Sequence, residues 1–493
     1  MHLYILLLKK AAFSGSEVFP MQHRRLYIVG IDSAPLWIIK RLYKKYKMDG
    51  FKPFFDLGFI YDLESSLPPI TPVAWPTIYT GKSPAEHGAH DFFTMTEKYE
   101  KKLIYYDTDL RPPFWDVISD KGIKSLIINP PAVVRPSRKA NVDMVTGFPL
   151  PQSYSSEALE SEAASSGFSG EPEIEEGLRN GSLQLHDSAY LYSESIRKRA
   201  EFSSRLIGSN DYGLVFVCFT ETDRMQHYTL GRPEWEDYIV PLYKGISDFI
   251  EWLIAYNKKR KGEWSLMLVS DHGAQPTHSK FLVNSWLLHK GHISLKNNGL
   301  NADWNKTDGN GIGAAFRFGH ASEPDESEKL LCAASGSNSI HAYCADMKGT
   351  RAFASLSNNP VGSIWINDRR FSEPAILDSK GRTALIKELS EDLKSIKDSK
   401  GKRIVRKIHD TRSYYGKAGF IVPDIMFEMS EGYTVDVSSH SEAYVYATER
   451  SRSGDHTRYG IIGAYPKRHI RLKPRMSVAD MAEVVTAFYS GSG

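Results

Sequence analysis

Short continuous apolar runs, each closed by polar residues, set the rhythm of this chain. Leu26-Tyr27-Ile28-Val29-Gly30-Ile31, Leu214-Val215-Phe216-Val217-Cys218-Phe219 and Leu266-Met267-Leu268-Val269-Ser270 show no polar alternation. Runs of this kind predict parallel strands covered on both faces. Between them the period changes. Leu36 to Tyr46 carries apolar residues at helical spacing with Lys and Arg on the other face, which predicts an amphipathic helix. Phe114 to Asp120 reads as helix, Lys121-Gly122 stops it, and Ser125 to Ile128 reads as a strand ending at Asn129-Pro130-Pro131. Asp187 to Leu206 is helical again and feeds the strand at 213–219; Tyr459 to Ala464 is a last strand before a closing helix at 477–489. This βαβ rhythm predicts an α/β fold with a mostly parallel central sheet sandwiched by helices. No internal repeat is present.

The rhythm breaks in several places. Residues 1–24 read as an N-terminal extension to a single domain over 25–493, with insertions at about 140–185 and 290–345. In 151–180 Ser and Gly dominate, and Glu157, Glu160, Glu162, Glu171, Glu173, Glu175 and Glu176 form a negative run, which predicts a surface loop or lid. A small cap subdomain is expected at about 361–440, with a strand at Ser363 to Ile366, a helix at Ala384 to Ile396 and a strand near Ile425.

Composition narrows the class. Hydrophobic content of 41% and charged content of 25% are those of a globular protein. A net charge of +3 gives no reason to expect a nucleic-acid duplex or an acidic membrane surface as partner. The apolar run Leu3 to Leu8 is followed, not preceded, by Lys9-Lys10, and is too short for a signal core or a membrane span. Three cysteines, Cys218, Cys332 and Cys344, cannot build a disulfide framework, so a reducing, cytoplasmic setting is expected.

The strands lead into chemistry. The first ends on Asp32, the second leads to Asp223 and His227, and the third ends on Asp271-His272-Gly273. In open α/β sheets, sites collect at the carboxyl ends of the strands. One strand-end Asp is ordinarily a helix N-cap. Three carboxylates and two imidazoles at one sheet edge are costly to bury without a shared cation. Leu67-Pro68-Pro69-Ile70-Thr71-Pro72-Val73-Ala74-Trp75 follows the first strand, and a helix starting at Pro72 puts Thr71 at its N-cap.

Thr71 to Thr80-Gly81, then Pro84 and His87-Gly88, together with Asp32, Asp223…His227, Asp271-His272-Gly273 and a late Gly454-Asp455-His456, resemble the prokaryotic members of the type I phosphodiesterase/nucleotide pyrophosphatase family of the alkaline phosphatase superfamily. Asn129-Pro130-Pro131 and Asn284-Ser285-Trp286-Leu287 fit the same pattern. The resemblance implies two divalent metal ions about 4 Å apart, zinc first and manganese, iron or magnesium as alternatives. It assigns Asp32, Asp271, His272 and the Thr71 oxygen to one ion and Asp223, His227 and His456 to the other. It implies hydrolysis of phosphodiester or pyrophosphate bonds through a phosphothreonine at Thr71, on a small-molecule phosphate ester. Asp455 is either a partner of a ligating histidine or a turn residue, while His87 and His90 read as structural.

The chain also departs from the eukaryotic pattern. Pro72 has no N–H, and Ala74 stands where an Asn would supply a second donor to a phosphoryl oxygen. A phosphomonoesterase, a phosphonate hydrolase or a phosphomutase on the same core therefore stays open, as does an inert relative that binds a phosphorylated ligand. Substrate identity and oligomeric state are not readable from the sequence.

Overall fold

The run Leu26–Ile31 lies in the middle of a seven-stranded sheet, which is why it has no polar face. The computed structural model describes residues 24–103, 111–149, 151–168, 170, 172, 174–294, 316–317, 343–355, 360–371, 376–416, 418–437, 445–447, 452–467 and 470–490. The sheet contains β1 (Arg24–Ile31), β2 (Phe59–Glu64), β3 (Ser125–Ile128), β4 (Val142–Val145), β5 (Leu214–Phe219), β6 (Glu263–Val269) and β7 (Tyr459–Tyr465), in the order β2-β7-β6-β1-β5-β3-β4. β1 runs parallel to β5 and β6, and β3 and β4 continue the parallel run. β7 alone is reversed, lying antiparallel to β6 and β2. The mostly parallel α/β class expected above is the one the chain adopts.

Helices α1 (Leu36–Tyr46), α2 (Thr71–Thr80), α3 (Leu185–Ser209), α4 (Glu221–Thr229) and α5 (Trp235–Lys258) occupy the connections. Alternate residues of β1 enter different cores. Tyr27, Val29 and Ile31 pack with Ile38 and Leu42 of α1, Phe202 of α3 and Leu242 and Ile246 of α5. Leu26 and Ile28 pack with Trp75 and Ile78 of α2 and with Trp115, Val485 and Phe488. Each such side chain stabilises by about 1.5–3 kcal/mol when fully buried. The strand ends are therefore a rigid platform.

A second sheet of four strands, Ala352–Ala354, Val361–Ile366, Ile425–Met429 and Val405–His409, is antiparallel throughout. With helix α6 (Ser379–Ser395) it builds a core of its own around Phe353, Trp365, Leu389 and Phe427, which also takes in Phe281 and Trp286. α6 starts five residues earlier than the periodicity predicts, because the Asp378 side chain caps it by accepting from the Gly381 N–H at 2.7 Å.

Two further expectations change, and a third falls largely outside the described residues. β1 already begins at Arg24, and residues 1–23 lie outside the described residues. The acidic stretch at 151–180 is not a loop: it forms helices Glu157–Ser165 and Glu175–Asn180. Leu159, Ala163, Phe168 and Ile174 anchor it in the core shared with α3, so apolar residues hidden among the acids decide its state. Of the insertion expected at 290–345, residues 295–315 and 318–342 lie outside the described residues.

Candidate metal centre

The parallel strands deliver their ends to one place. Asp32 follows β1 directly and is fully buried. Ser33, with φ 61°, turns the chain there, and its N–H donates to Asp271 Oδ1 at 3.3 Å. Asp271 and His272 follow β6 and are equally buried. The neighbouring strand Gly273–Pro276 pairs antiparallel with Gly454–Thr457, setting His456 opposite Ala274. Asp223 and His227, four residues apart on α4, share one face of that helix.

Six of the predicted residues plus Thr71 come together around two metal-capable groups that share Asp223, one of Asp32, Asp223 and His272 and one of Asp223, His227 and His456. In the first, His272 Nε2 lies 3.5 Å from Asp32 Oδ1 and 3.2 Å from Asp271 Oδ2. Thr71 joins it, with Oγ1 3.4 Å from Asp32 Oδ1 and 3.5 Å from His272 Nε2. In the second, His456 Nε2 lies 3.1 Å from Asp223 Oδ1 and 3.0 Å from His227 Nε2, and His227 Nε2 lies 3.5 Å from Asp223 Oδ2. The rings of His272 and His456, one from each group, are 4.0 Å apart between centroids.

Thr71 is not the N-cap that the sequence predicts. Ile70 holds that position, its carbonyl taking both the Val73 and Ala74 N–H groups at 3.0 and 2.9 Å. Thr71 is thus the first helical residue, and its hydroxyl, released from capping, points at Asp32 and His272. One turn later Trp75 donates its indole N–H to Asp32 Oδ2 at 3.1 Å. Gly30 makes room for that ring: a β-carbon there would meet the Trp75 Cη2 atom at 2.8 Å.

The donor set fits divalent cations. His227 Nδ1 lies 3.0 Å from the Gly454 carbonyl and His272 Nδ1 lies 3.2 Å from the Gly273 carbonyl. A carbonyl only accepts, so both Nδ1 atoms carry the proton and both Nε2 atoms present lone pairs. Arg452, 3.3 Å from His227 Nδ1, is a competing donor, and the shorter contact to the carbonyl is the one taken to set the tautomer. Burial, then the charges of Asp271 and Asp223, pushes Asp32 well above the usual carboxylate range; burial and the charge of Asp223 push Asp271 up as well. Burial opposes ionisation of Asp223, but His227 and His456 hold it well below that range. His272 is driven down by burial and stays neutral. Buried carboxylates facing imidazole lone pairs need a cation to share, and the mix of nitrogen and oxygen suits zinc.

The model of the type I phosphodiesterase/nucleotide pyrophosphatase family matches residues 26–457. The chain belongs to this family. It is a phosphoric ester hydrolase. Among solved structures, it is similar to the phosphonoacetate hydrolase of Sinorhizobium meliloti in complex with phosphonoformate, at 14% identity and a TM-score of 0.57, covering 95% of this chain and 97% of that one. A complex of the same hydrolase with phosphonoacetate gives the same values. Murine ectonucleotide pyrophosphatase/phosphodiesterase 5, in an inactive form with AMP, follows at 13% identity and a TM-score of 0.48, covering 94% and 95%. Comparison with curated proteins gave no match. Among the described residues no helix is long and apolar enough to cross a membrane.

The remaining family motifs take supporting places. Asp455 Oδ1 accepts the His456 N–H at 2.8 Å and its other oxygen pairs with the Thr434 hydroxyl, so it braces the strand beneath His456. His87 bonds the Thr77 hydroxyl at 3.0 Å, and His90 stacks on Phe420 at 3.9 Å. Burial drives both imidazoles down, to about 3 and about 4, and both are neutral structural groups. Two residues were not foreseen. Trp75 lies four residues from Thr71, the helical spacing that gives its role away, whereas Arg224, bonded to Asp223 Oδ2 at 2.9 Å, had only its adjacency as a signal.

Proposed function

We propose that the protein hydrolyses phosphodiester or pyrophosphate bonds of a small-molecule ester through a phosphothreonine at Thr71. The observation that carries this reading is the Thr71 hydroxyl, 3.4 Å from Asp32 and 3.5 Å from His272 and unused as a cap. One divalent ion would be held by Asp32, Asp271, His272 and Thr71 and a second by Asp223, His227 and His456; zinc is the proposed identity. Bound there, such ions supply positive charge that lowers the pKa of a coordinated hydroxyl and offsets charge on phosphoryl oxygens.

The residues of the chain do the rest. Asp32 accepts the Thr71 hydroxyl proton and keeps the oxygen aimed, while Trp75 fixes the other oxygen of Asp32. Thr71 Oγ1 forms a bond to phosphorus as the bond to the leaving oxygen breaks. Water then attacks the same phosphorus and gives up a proton that neutralises the departed leaving oxygen through solvent, while the Thr71 bond breaks and its oxygen takes back the proton held by Asp32. Two in-line displacements give net retention at phosphorus. Neutral His272 lies within reach of Thr71 Oγ1 and carries no proton at Nε2 to quench the nucleophile. The buried walls around Asp32 and Asp271 exclude bulk water from the first step.

The absent donors at Pro72 and Ala74 favour a second reading on the same core, a phosphomonoester or phosphonate substrate. We place the protein in the cytoplasm on cysteine usage, Cys218 being a buried free thiol. Release of nitrophenol from bis-nitrophenyl and mono-nitrophenyl phosphate, with and without chelator, separates these cases. Chelator-sensitive turnover of the diester supports the leading reading. Turnover of the monoester alone moves the assignment to the second, and no turnover of either with metal present contradicts both.

A further inference from the structure

Beside the cluster a guanidinium is set in a frame. Arg224 stands on α4 between Asp223 and His227 and is only 6% exposed. Its carbon Cζ lies 3.6 Å from the centre of the Phe148 ring, a stacking distance that fixes the plane of the group. Phe148 is itself met edge-on by Phe92 at 6.2 Å. Nε lies 3.1 Å from Glu175 of the acidic insertion, and Nη1 lies 2.9 Å from Asp223 Oδ2. Among the Lys and Arg of the described residues, it is the one that ion-pairs with an aspartate of the cluster. Its charge also reaches Asp32 in the other group, whose carboxyl it pulls down against the effect of burial.

A phosphoryl group entering this site needs hydrogen-bond donors. The first turn of α2 supplies few: Pro72 has no N–H, and the Val73 and Ala74 N–H groups are both spent on Ile70, which leaves the Thr71 N–H alone. A guanidinium has five N–H donors in a planar fork that matches phosphoryl oxygens and can serve several anions at once. We infer that Arg224 is the phosphoryl-oxygen-binding side chain of this site, with Phe148 and Glu175 fixing its orientation. The inference deepens the proposed hydrolase reading and rests on it. Arg224 is then a catalytic residue rather than a brace for Asp223. Glu175 gives the acidic insertion a purpose: it lets a buried arginine face the cluster without being drawn wholly onto Asp223.

The test uses full-length, metal-loaded protein and inorganic phosphate as the probe. Metal content and phosphate affinity are measured for wild type, Arg224→Met and Arg224→Lys. The expected result is unchanged metal content in both variants. Phosphate binding should weaken about 100-fold in Arg224→Met, the scale of losing one oxyanion donor, and by less in Arg224→Lys, which keeps the charge. Phosphate binding within about twofold of wild type in Arg224→Met overturns the inference. So does a loss of phosphate affinity that only tracks a loss of metal, because Arg224 would then be positioning Asp223. Should the Met variant not fold, the Lys variant carries the same comparison. A metal-loaded wild type that binds phosphate but hydrolyses no ester contradicts the hydrolase reading and still leaves the Arg224 comparison decisive.

Discussion

The Nε2 atoms of His227 and His456 lie 3.0 Å apart, and the Nδ1 proton of His227 is committed to the Gly454 carbonyl. The His227 lone pair therefore faces a second imidazole across a gap that a cation would bridge, with Asp223 Oδ1 3.1 Å from His456. His456→Ala removes this arrangement and leaves Asp32, Asp271, His272 and Thr71 intact. The expected outcome is a fall from two bound ions to one, read by elemental analysis of protein dialysed against trace metal. Retention of both ions in the variant would falsify the division into two groups.

Gly30 and Trp75 form a second dependence. Gly30→Ala places a methyl group where the indole ring lies, 2.8 Å from Cη2 and 2.9 Å from the Cys218 sulfur. Overpacking of a tight core costs about 1–3 kcal/mol. Displacing Trp75 also frees Asp32 Oδ2. Both a lower unfolding midpoint and reduced turnover are expected. A folded, fully active Gly30→Ala protein would show that the Trp75 bond does not hold the site.

Beneath the cluster, Arg199 of α3 and Glu221 at the start of α4 form a buried ion pair at 2.7 Å, and the Ser195 hydroxyl donates to the other Glu221 oxygen at 2.7 Å. Removing one partner strands the other charge. Arg199→Met is expected to destabilise by about 3–5 kcal/mol, measured by urea unfolding at neutral pH. A double change, Arg199→Met with Glu221→Leu, should recover much of that loss. A cost below about 1 kcal/mol for the single change would place the pair among weak surface contacts.

Acid sensitivity has a named source away from the cluster. Burial works against ionisation of Glu236, but hydrogen bonds from Lys45, Arg41 and Tyr46 hold its carboxyl at about 2, against an ordinary value of 4.5. A depressed folded-state value contributes stability that is complete above about pH 4.5 and is lost as pH falls toward 2. Wild type should therefore lose more stability than Glu236→Gln between pH 5 and pH 3, read from urea midpoints. Parallel curves for the two proteins would rule Glu236 out as the cause.

Much of this was legible in the chain because its cause is local. An unbroken apolar run means burial on both faces, so β1, β5 and β6 announced themselves, and their polar ends gave Asp32, Asp223 and Asp271. His456 needed the resemblance, since its place depends on Gly454–Thr457 pairing with Gly273–Pro276, far away in sequence. β2 and β4 were not foreseen. β2 is an edge strand with exposed Tyr61 and Asp62, and β4 has four residues with Asp143 among them. The stretch at 151–180 was hidden because four apolar anchors sit among its acids. Thr71 shifted by one position because the Ile70 carbonyl, invisible to side-chain patterning, closes the first turn.

The central claim is that Thr71 is the nucleophile, and rapid acid quench of the metal-loaded enzyme during turnover of bis-nitrophenyl phosphate, followed by peptide mass spectrometry, tests it most directly. The expected result is one phosphoryl group on the peptide containing Thr71, absent from Thr71→Ala, which keeps its metal but loses turnover, and present again in Thr71→Ser on the new hydroxyl. If Thr71→Ala turns the ester over at the wild-type rate and no phosphopeptide forms in any variant, the attack comes from water and the phosphothreonine account is wrong.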